Sequence, residues 1–174
     1  MGGKVYLASR DLASFPWGNH HFVLVEVDEP KVCEYTAITL GGSGAGKARW
    51  TLGAYQANGN LAYQKNESTD LFAVREFNNS SQGPLGDYDL ELRAISVPNG
   101  MSSAMFLQLL QKASDHYATN TSTTPVTYAM FGDNCQTWAN TLLKVTGVPA
   151  SEREWDSSGF DSGYDELLNE SLFR

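Results

Sequence analysis

Gly132-Asp133-Asn134-Cys135-Gln136-Thr137-Trp138-Ala139-Asn140-Thr141-Leu142-Leu143 reads as a turn running straight into a helix. Gly, Asp and Asn are turn formers, and Trp138, Ala139, Leu142 and Leu143 recur at the spacing of one buried helical face. Asp133 or Asn134 can cap that helix, which puts Cys135 in its first turn. Amides of a first turn have no carbonyl partner inside the helix. Together with the positive dipole end they favour a thiolate over a thiol, and they can hold a developing oxyanion. Cys135 precedes Trp138 and Ala139 by three and four positions, so its sulfur leans toward the buried side. The spacing predicts a cysteine helix over 134–146, stopped by Gly147 with Pro149 beyond. Cys135 is therefore a candidate nucleophile.

Such a thiol needs a base, and the chain holds 3 histidines. His20 and His21 open an apolar, β-branched run, Phe22-Val23-Leu24-Val25-Glu26-Val27, which predicts a histidine strand over 20–27. Pro16-Trp17-Gly18-Asn19 reads as the turn before it. Successive strand residues face opposite ways, so only one of the two imidazoles can serve a given site. The sequence leaves open which. The competing interpretation makes both histidines polar residues at a strand mouth and Cys135 a small buried side chain. His116 falls late in another predicted helix, where its charge suits the dipole.

Asn134-Cys135 opening a helix, with Tyr128 upstream and His20-His21-Phe22-Val23-Leu24-Val25 far ahead of both, resembles lecithin:retinol acyltransferase-type proteins. These belong to the circularly permuted branch of NlpC-type, papain-like thiol enzymes, in which the histidine strand precedes the cysteine helix. The resemblance covers two short segments. After Cys135 that family has acidic and aromatic residues where this chain has Gln136-Thr137-Trp138, so the likeness carries thiol chemistry more than acyltransferase specificity. It implies a papain-like α+β fold, Cys135 as nucleophile, His20 or His21 as base, and Tyr128 and Asn134 beside the thiol to help with the oxyanion or substrate. It also implies a third polar group on the strand after the histidine strand. Glu34, Thr36 and Thr39 are the candidates, with Glu34 preferred.

Composition bounds the rest. A chain of 174 residues with 41% hydrophobic and 11% aromatic content can bury a full core, and one domain over 1–174 is expected. A net charge of −8 with no Lys/Arg cluster argues against a nucleic-acid surface. No stretch is long and apolar enough for an integral membrane segment. The start, Met1-Gly2-Gly3-Lys4-Val5-Tyr6, lacks a signal-peptide core, and Tyr6 stands where myristoylation wants Ser or Thr. The expectation is a chain made in the cytoplasm without a cleaved leader, exported only by a leaderless route. Two cysteines, Cys33 and Cys135, do not make a disulfide scaffold.

Around these segments the pattern predicts an antiparallel sheet packed against two main helices. Lys4–Ala8 reads as a short first strand, and Cys33–Leu40 as a strand pairing with the histidine strand. Strands are also expected over Arg49–Tyr55 and Leu61–Gln64 about the Asn58-Gly59-Asn60 turn, and at Tyr88, Leu90 and Leu92. Leu71–Phe77 is a further apolar run. Ser102 or Ser103 starts the other main helix, carried to about Tyr117 by Met105, Phe106, Leu109, Leu110 and Ala113. Thr119–Pro125 reads as a linker and 151–174 as an acidic tail with a short helix near Asp165–Leu168.

Other motifs carry less. Gly41-Gly42-Ser43-Gly44-Ala45-Gly46-Lys47 lacks the hydroxyl of a P-loop, because Ala48 follows, and reads as a strand connection. Asp87, Asp89 and Glu91 read as a solvated strand face. Asp156, Asp161 and Asp165 do not have calcium-loop spacing, and the histidines are not spaced as zinc ligands. No metal or cofactor is expected. The resemblance implies an amidase or peptidase acting on bacterial cell-wall peptide. A small acidic leaderless member looks like a secreted antibacterial effector, whose expected partner is an immunity protein. Lipid or thioester acyl transfer is the alternative chemistry, and a binding module without catalysis is the alternative class.

Overall fold

The structure, a computed structural model, describes residues 3–12, 15–27, 38–39, 48–79, 90–156 and 165–174. Its centre is an antiparallel sheet of six strands: β1 (Lys4–Leu12), β2 (Phe15–Val27), β3 (Ile38–Thr39), β4 (Ala48–Ala57), β5 (Asn60–Lys65) and β6 (Glu91–Ile95). The order across the sheet is β3-β4-β2-β1-β6. β2 and β5 both pair with Leu52 and Gly53 of β4, so they lie on opposite edges of it, and β3 shares the β5 edge. Both edges of β2 are filled, by β1 over Lys4↔Glu26 to Asp11↔Asn19 and by β4 over Phe22↔Gly53 to Val27↔Ala48. That corrects the expected pairing of β2 with the strand after it. Ile38 and Thr39 pair with β4 instead. The Gly-rich connection, Cys33 and Glu34 lie outside the described residues.

β1 and β2 are longer than predicted. Pro16-Trp17-Gly18-Asn19 belongs to β2 rather than to a turn before it. The ladder shifts register between Asp11 and Leu12, passing from Asp11↔Asn19 to Leu12↔Phe15, and such an irregularity is where a strand tolerates proline. The Asn58-Gly59 turn joins β4 to β5 as expected, with both residues at positive φ (51 and 82) inside the Ala57↔Asn60 pair.

Strand alternation sorts the side chains onto two faces. Val5, Leu7, Val23, Val25, Trp50 and Leu52 enter one core, under helices α2 (Ser103–Thr123) and α3 (Cys135–Val145). Ala8, Phe22 and Leu24 enter a second, smaller core with Leu90 and with Val74 of helix α1 (Ser68–Asn79). Leu90 and Leu92 fall in this second cluster, whereas residues 80–89 lie outside the described ones.

Helix α1 adds a third long helix to the two expected. Its start carries an unusual cap: the Glu67 carboxylate accepts the backbone N–H groups of Thr69 (2.7 Å) and Asp70 (3.1 Å). Glutamate is not a standard capping residue, which hid the helix behind an undifferentiated apolar run. Helix α2 begins at the Ser102 cap and runs past Tyr117 through most of the supposed linker. Thr121, Ser122 and Thr123 turn their hydroxyls back onto the carbonyls of Tyr117, Thr119 and Asn120, and so remain within the helix. Near the C-terminus the short helical turn lies at Glu170–Phe173, not at Asp165–Leu168. It places Phe173 against Tyr117 and Trp138. Ala150–Arg153 forms the last helix, α4.

Candidate active site

Helix α3 starts on a complete capping box. The Asn134 side chain accepts from the N–H groups of Gln136 (2.9 Å) and Thr137 (3.2 Å), and the Thr137 hydroxyl accepts from the Asn134 N–H (2.8 Å). Asn134 also donates through Nδ2 to the Met130 carbonyl. The side chain expected to help with substrate is thus engaged in holding the turn. With the next amide, that of Trp138, closed onto the Asn134 carbonyl, the N–H of Cys135 is the first-turn amide left over by the cap.

The β2–β4 ladder ends at Phe22↔Gly53, and the first turn of α3 takes over the strand edge beyond it. Backbone groups of Asn19 and His21 point the same way as those of Val23, toward that edge. Gln136 Nε2 donates to the Asn19 carbonyl (3.3 Å), and the Cys135 Sγ lies 3.9 Å from it. The His21 N–H hydrogen-bonds to the Cys135 sulfur. Cys135 is thus held by backbone at the point where the two faces of the sheet meet.

Parity separates the histidines. His21 goes with Val23 and Val25 to the α2–α3 face and stacks on Trp155 (5.7 Å between centroids, 20° between planes). His20 goes with Phe22 and Leu24 to the α1 face. There it meets Arg10, its cross-strand partner, Tyr55 of β4, and Asp70 from the first turn of α1. His20 Nε2 is 3.6 Å from Asp70 Oδ2, an ion-pair distance longer than a hydrogen bond. Arg10 Nε donates to Asp70 Oδ1 at 2.7 Å, and the Tyr55 hydroxyl donates to Asp70 Oδ2. Cys135, His20, Arg10 and Asp70 are 5%, 2%, 5% and 0% exposed.

Burial of charge on this scale requires pairing. At His20 burial works against the imidazolium, but the Asp70 and Cys135 charges beside it outweigh that and raise the pKa to about 9. At Cys135 burial opposes the thiolate. The His20 charge and hydrogen bond, the His21 N–H and the Arg10 charge overcome it and hold the thiol below its ordinary range. At Asp70 burial again opposes ionisation, and His20, Arg10 and the Tyr55 hydroxyl reverse that effect. Each of these shifts favours the charged form of its group, so His20 and Arg10 stand as counter-charges to Cys135 and Asp70. Tyr128 lies near enough that burial, then the Cys135 charge, raise its pKa, which keeps its hydroxyl a donor.

The structure therefore brings together Cys135, His20 and Tyr128, and sets the His21 side chain on the other face with only its backbone at the sulfur. Glu34 and Thr36 lie outside the described residues, and the carboxylate that faces His20 is Asp70. Asp70 was not anticipated. Its one sequence signal is a lone acid at the start of an apolar run, Thr69-Asp70-Leu71-Phe72. Among the described residues no group of three or more His, Cys, Asp and Glu could hold a metal ion. Nor is any helix among them long and apolar enough to cross a membrane.

No family model matches this chain, and neither does any curated protein or solved structure.

Proposed function

We propose that this chain is a papain-like cysteine hydrolase in which Cys135 is the nucleophile, His20 the proton carrier and Asp70 the group that orients it. The observation that carries this reading is the buried Cys135–His20–Asp70 series, with the imidazole between sulfur and carboxylate. Nε2 is turned to Asp70, which leaves Nδ1 for the sulfur. In the first step the thiolate forms a bond to an acyl carbon, and the carbonyl oxygen becomes negative. The Cys135 N–H, the positive end of α3 and the Tyr128 hydroxyl are the donors available to it. The C–N bond then breaks as the His20 imidazolium gives its proton to the leaving nitrogen. Water adds to the thioester and yields a proton to His20. The C–S bond breaks, the acid leaves, and the thiolate–imidazolium pair is restored.

The substrate class follows from resemblance alone: an amide of bacterial cell-wall peptide, in an effector that a producing cell pairs with an immunity protein. The first test needs no substrate. Alkylation of the folded protein with iodoacetamide across pH 5 to 9, read at Cys135 and Cys33 separately, is expected to show Cys135 reacting well below the pH of an ordinary thiol. His20→Ala should abolish that low-pH reactivity and His21→Ala should leave it. If Cys135 titrates as an ordinary thiol in all three proteins, the enzyme reading fails and a binding role replaces it. Release of new amines from cell-wall peptide, lost in Cys135→Ala, identifies the substrate class. Fatty-acid release from phospholipid instead reassigns it to acyl chemistry.

A further inference from the structure

We propose that Arg10 and Tyr55 are positioning residues that together fix the Asp70 carboxylate against His20, an inference that rests on the thiol-hydrolase reading above. The two carboxylate oxygens are divided between them. Oδ1 accepts from Arg10 Nε at 2.7 Å, and Oδ2 accepts from the Tyr55 hydroxyl while facing His20 Nε2 at 3.6 Å. The Tyr55 ring also lies 4.5 Å from the imidazole at a tilt of 33°, so one side chain braces both the base and its carboxylate. All of this is set by the sheet. Arg10 sits opposite His20 on β1, and Tyr55 comes from β4 on the other side of β2.

Charge gives the arrangement its purpose. Without Arg10, a carboxylate and a thiolate would share one imidazolium in a buried site, which favours one anion taking up a proton. With it, two cations balance two anions. Facing Asp70 are Arg10 from β1, His20 from β2 and Tyr55 from β4, with Glu67 acting on Tyr55 from the cap of α1. Facing Cys135 are His20 and Arg10 from the sheet and Tyr128 from the segment before α3. Tyr55 holds the oxygen that His20 faces, which keeps the imidazole at ion-pair distance and lets it give up its proton to a leaving group.

The test is the full pH profile of Cys135 alkylation, with its lower inflection set by thiolate formation and its upper one by loss of the imidazolium. Arg10→Gln is expected to raise the lower inflection by about one unit or more. Arg10→Lys should recover part of that shift, because it restores the charge without the Nε geometry. Tyr55→Phe keeps the ring and removes the hydroxyl. His20 then closes on Oδ2, and the upper inflection moves upward. Arg49→Gln, which breaks the buried Arg49–Glu26 pair (2.9 Å) elsewhere on the same face, should lower the melting temperature and leave both inflections in place. If Arg10→Gln and Tyr55→Phe also lower only the melting temperature, the positioning role is wrong and the thiol reading stands. If the unmodified protein shows no lowered inflection, or His20→Ala does not move it, both fall. If Arg10→Gln does not fold, Tyr55→Phe decides alone.

Discussion

Gly53 is the residue on which the site makes its least obvious demand. A methyl group there would stand 2.8 Å from the Tyr55 hydroxyl oxygen and 3.3 Å from both His20 Nε2 and Phe22 Cβ. The sheet can carry an imidazole and a phenol over this point only because nothing rises from it. Gly53→Ala is expected to cost about 1–3 kcal/mol in denaturant unfolding through overpacking, and to slow Cys135 alkylation at neutral pH. Gly132→Ala, whose added methyl meets only Ala129 Cβ at 3.6 Å, should do neither. Residue identity alone made Cys135 legible, because its turn and its helical spacing are local. Asp70 was not, because its partners Arg10, His20 and Tyr55 come from three strands and only the folded sheet brings them together.

At the scale of elements, α3 is the part best written in the sequence. The expected boundaries, 134–146, coincide with its caps at Asn134 and Thr146, and Gly147 follows at φ 96. Asn134 accepts two backbone N–H groups, and its loss frees both beside the thiol. Asn134→Ala should lower stability by about 1–2 kcal/mol in urea unfolding. Ser102→Ala, which removes a single exposed bond to the Met105 N–H at 3.2 Å, should cost less. Helix α1 was illegible for the opposite reason. Its Glu67 cap breaks the usual rule, and its apolar run suits strand and helix equally well. The order of strands could not be read either, because antiparallel neighbours are chosen by which edges remain open, and β1 and β4 take both edges of β2.

For the whole molecule, the buried charges tie stability to pH. The folded pKa of Asp70 lies below its ordinary 3.8, so its contribution is present above that value and is lost as pH falls toward the folded one. His20 runs the other way: its contribution is full below 6.5 and is lost as pH rises through about 9. Over the alkaline part of that range Cys135, with its lowered pKa, gains stability and offsets the decline. Asp70→Asn removes the buried carboxylate that Arg10 Nε and His20 face and is expected to cost roughly 3–5 kcal/mol near neutral pH. Urea melts taken below about pH 4 should show the wild type falling toward the variant, whose own acid dependence is shallower. The two-faced sheet has one last consequence. His20 and His21 are chemically the same, and a slip of β2 by one residue would exchange them. The same slip would send Val23, Val25 and Val27 to the α1 side and Phe22 and Leu24 beneath α2 and α3. Oily side chains further along the strand therefore act as the proofreaders that decide which imidazole meets the sulfur.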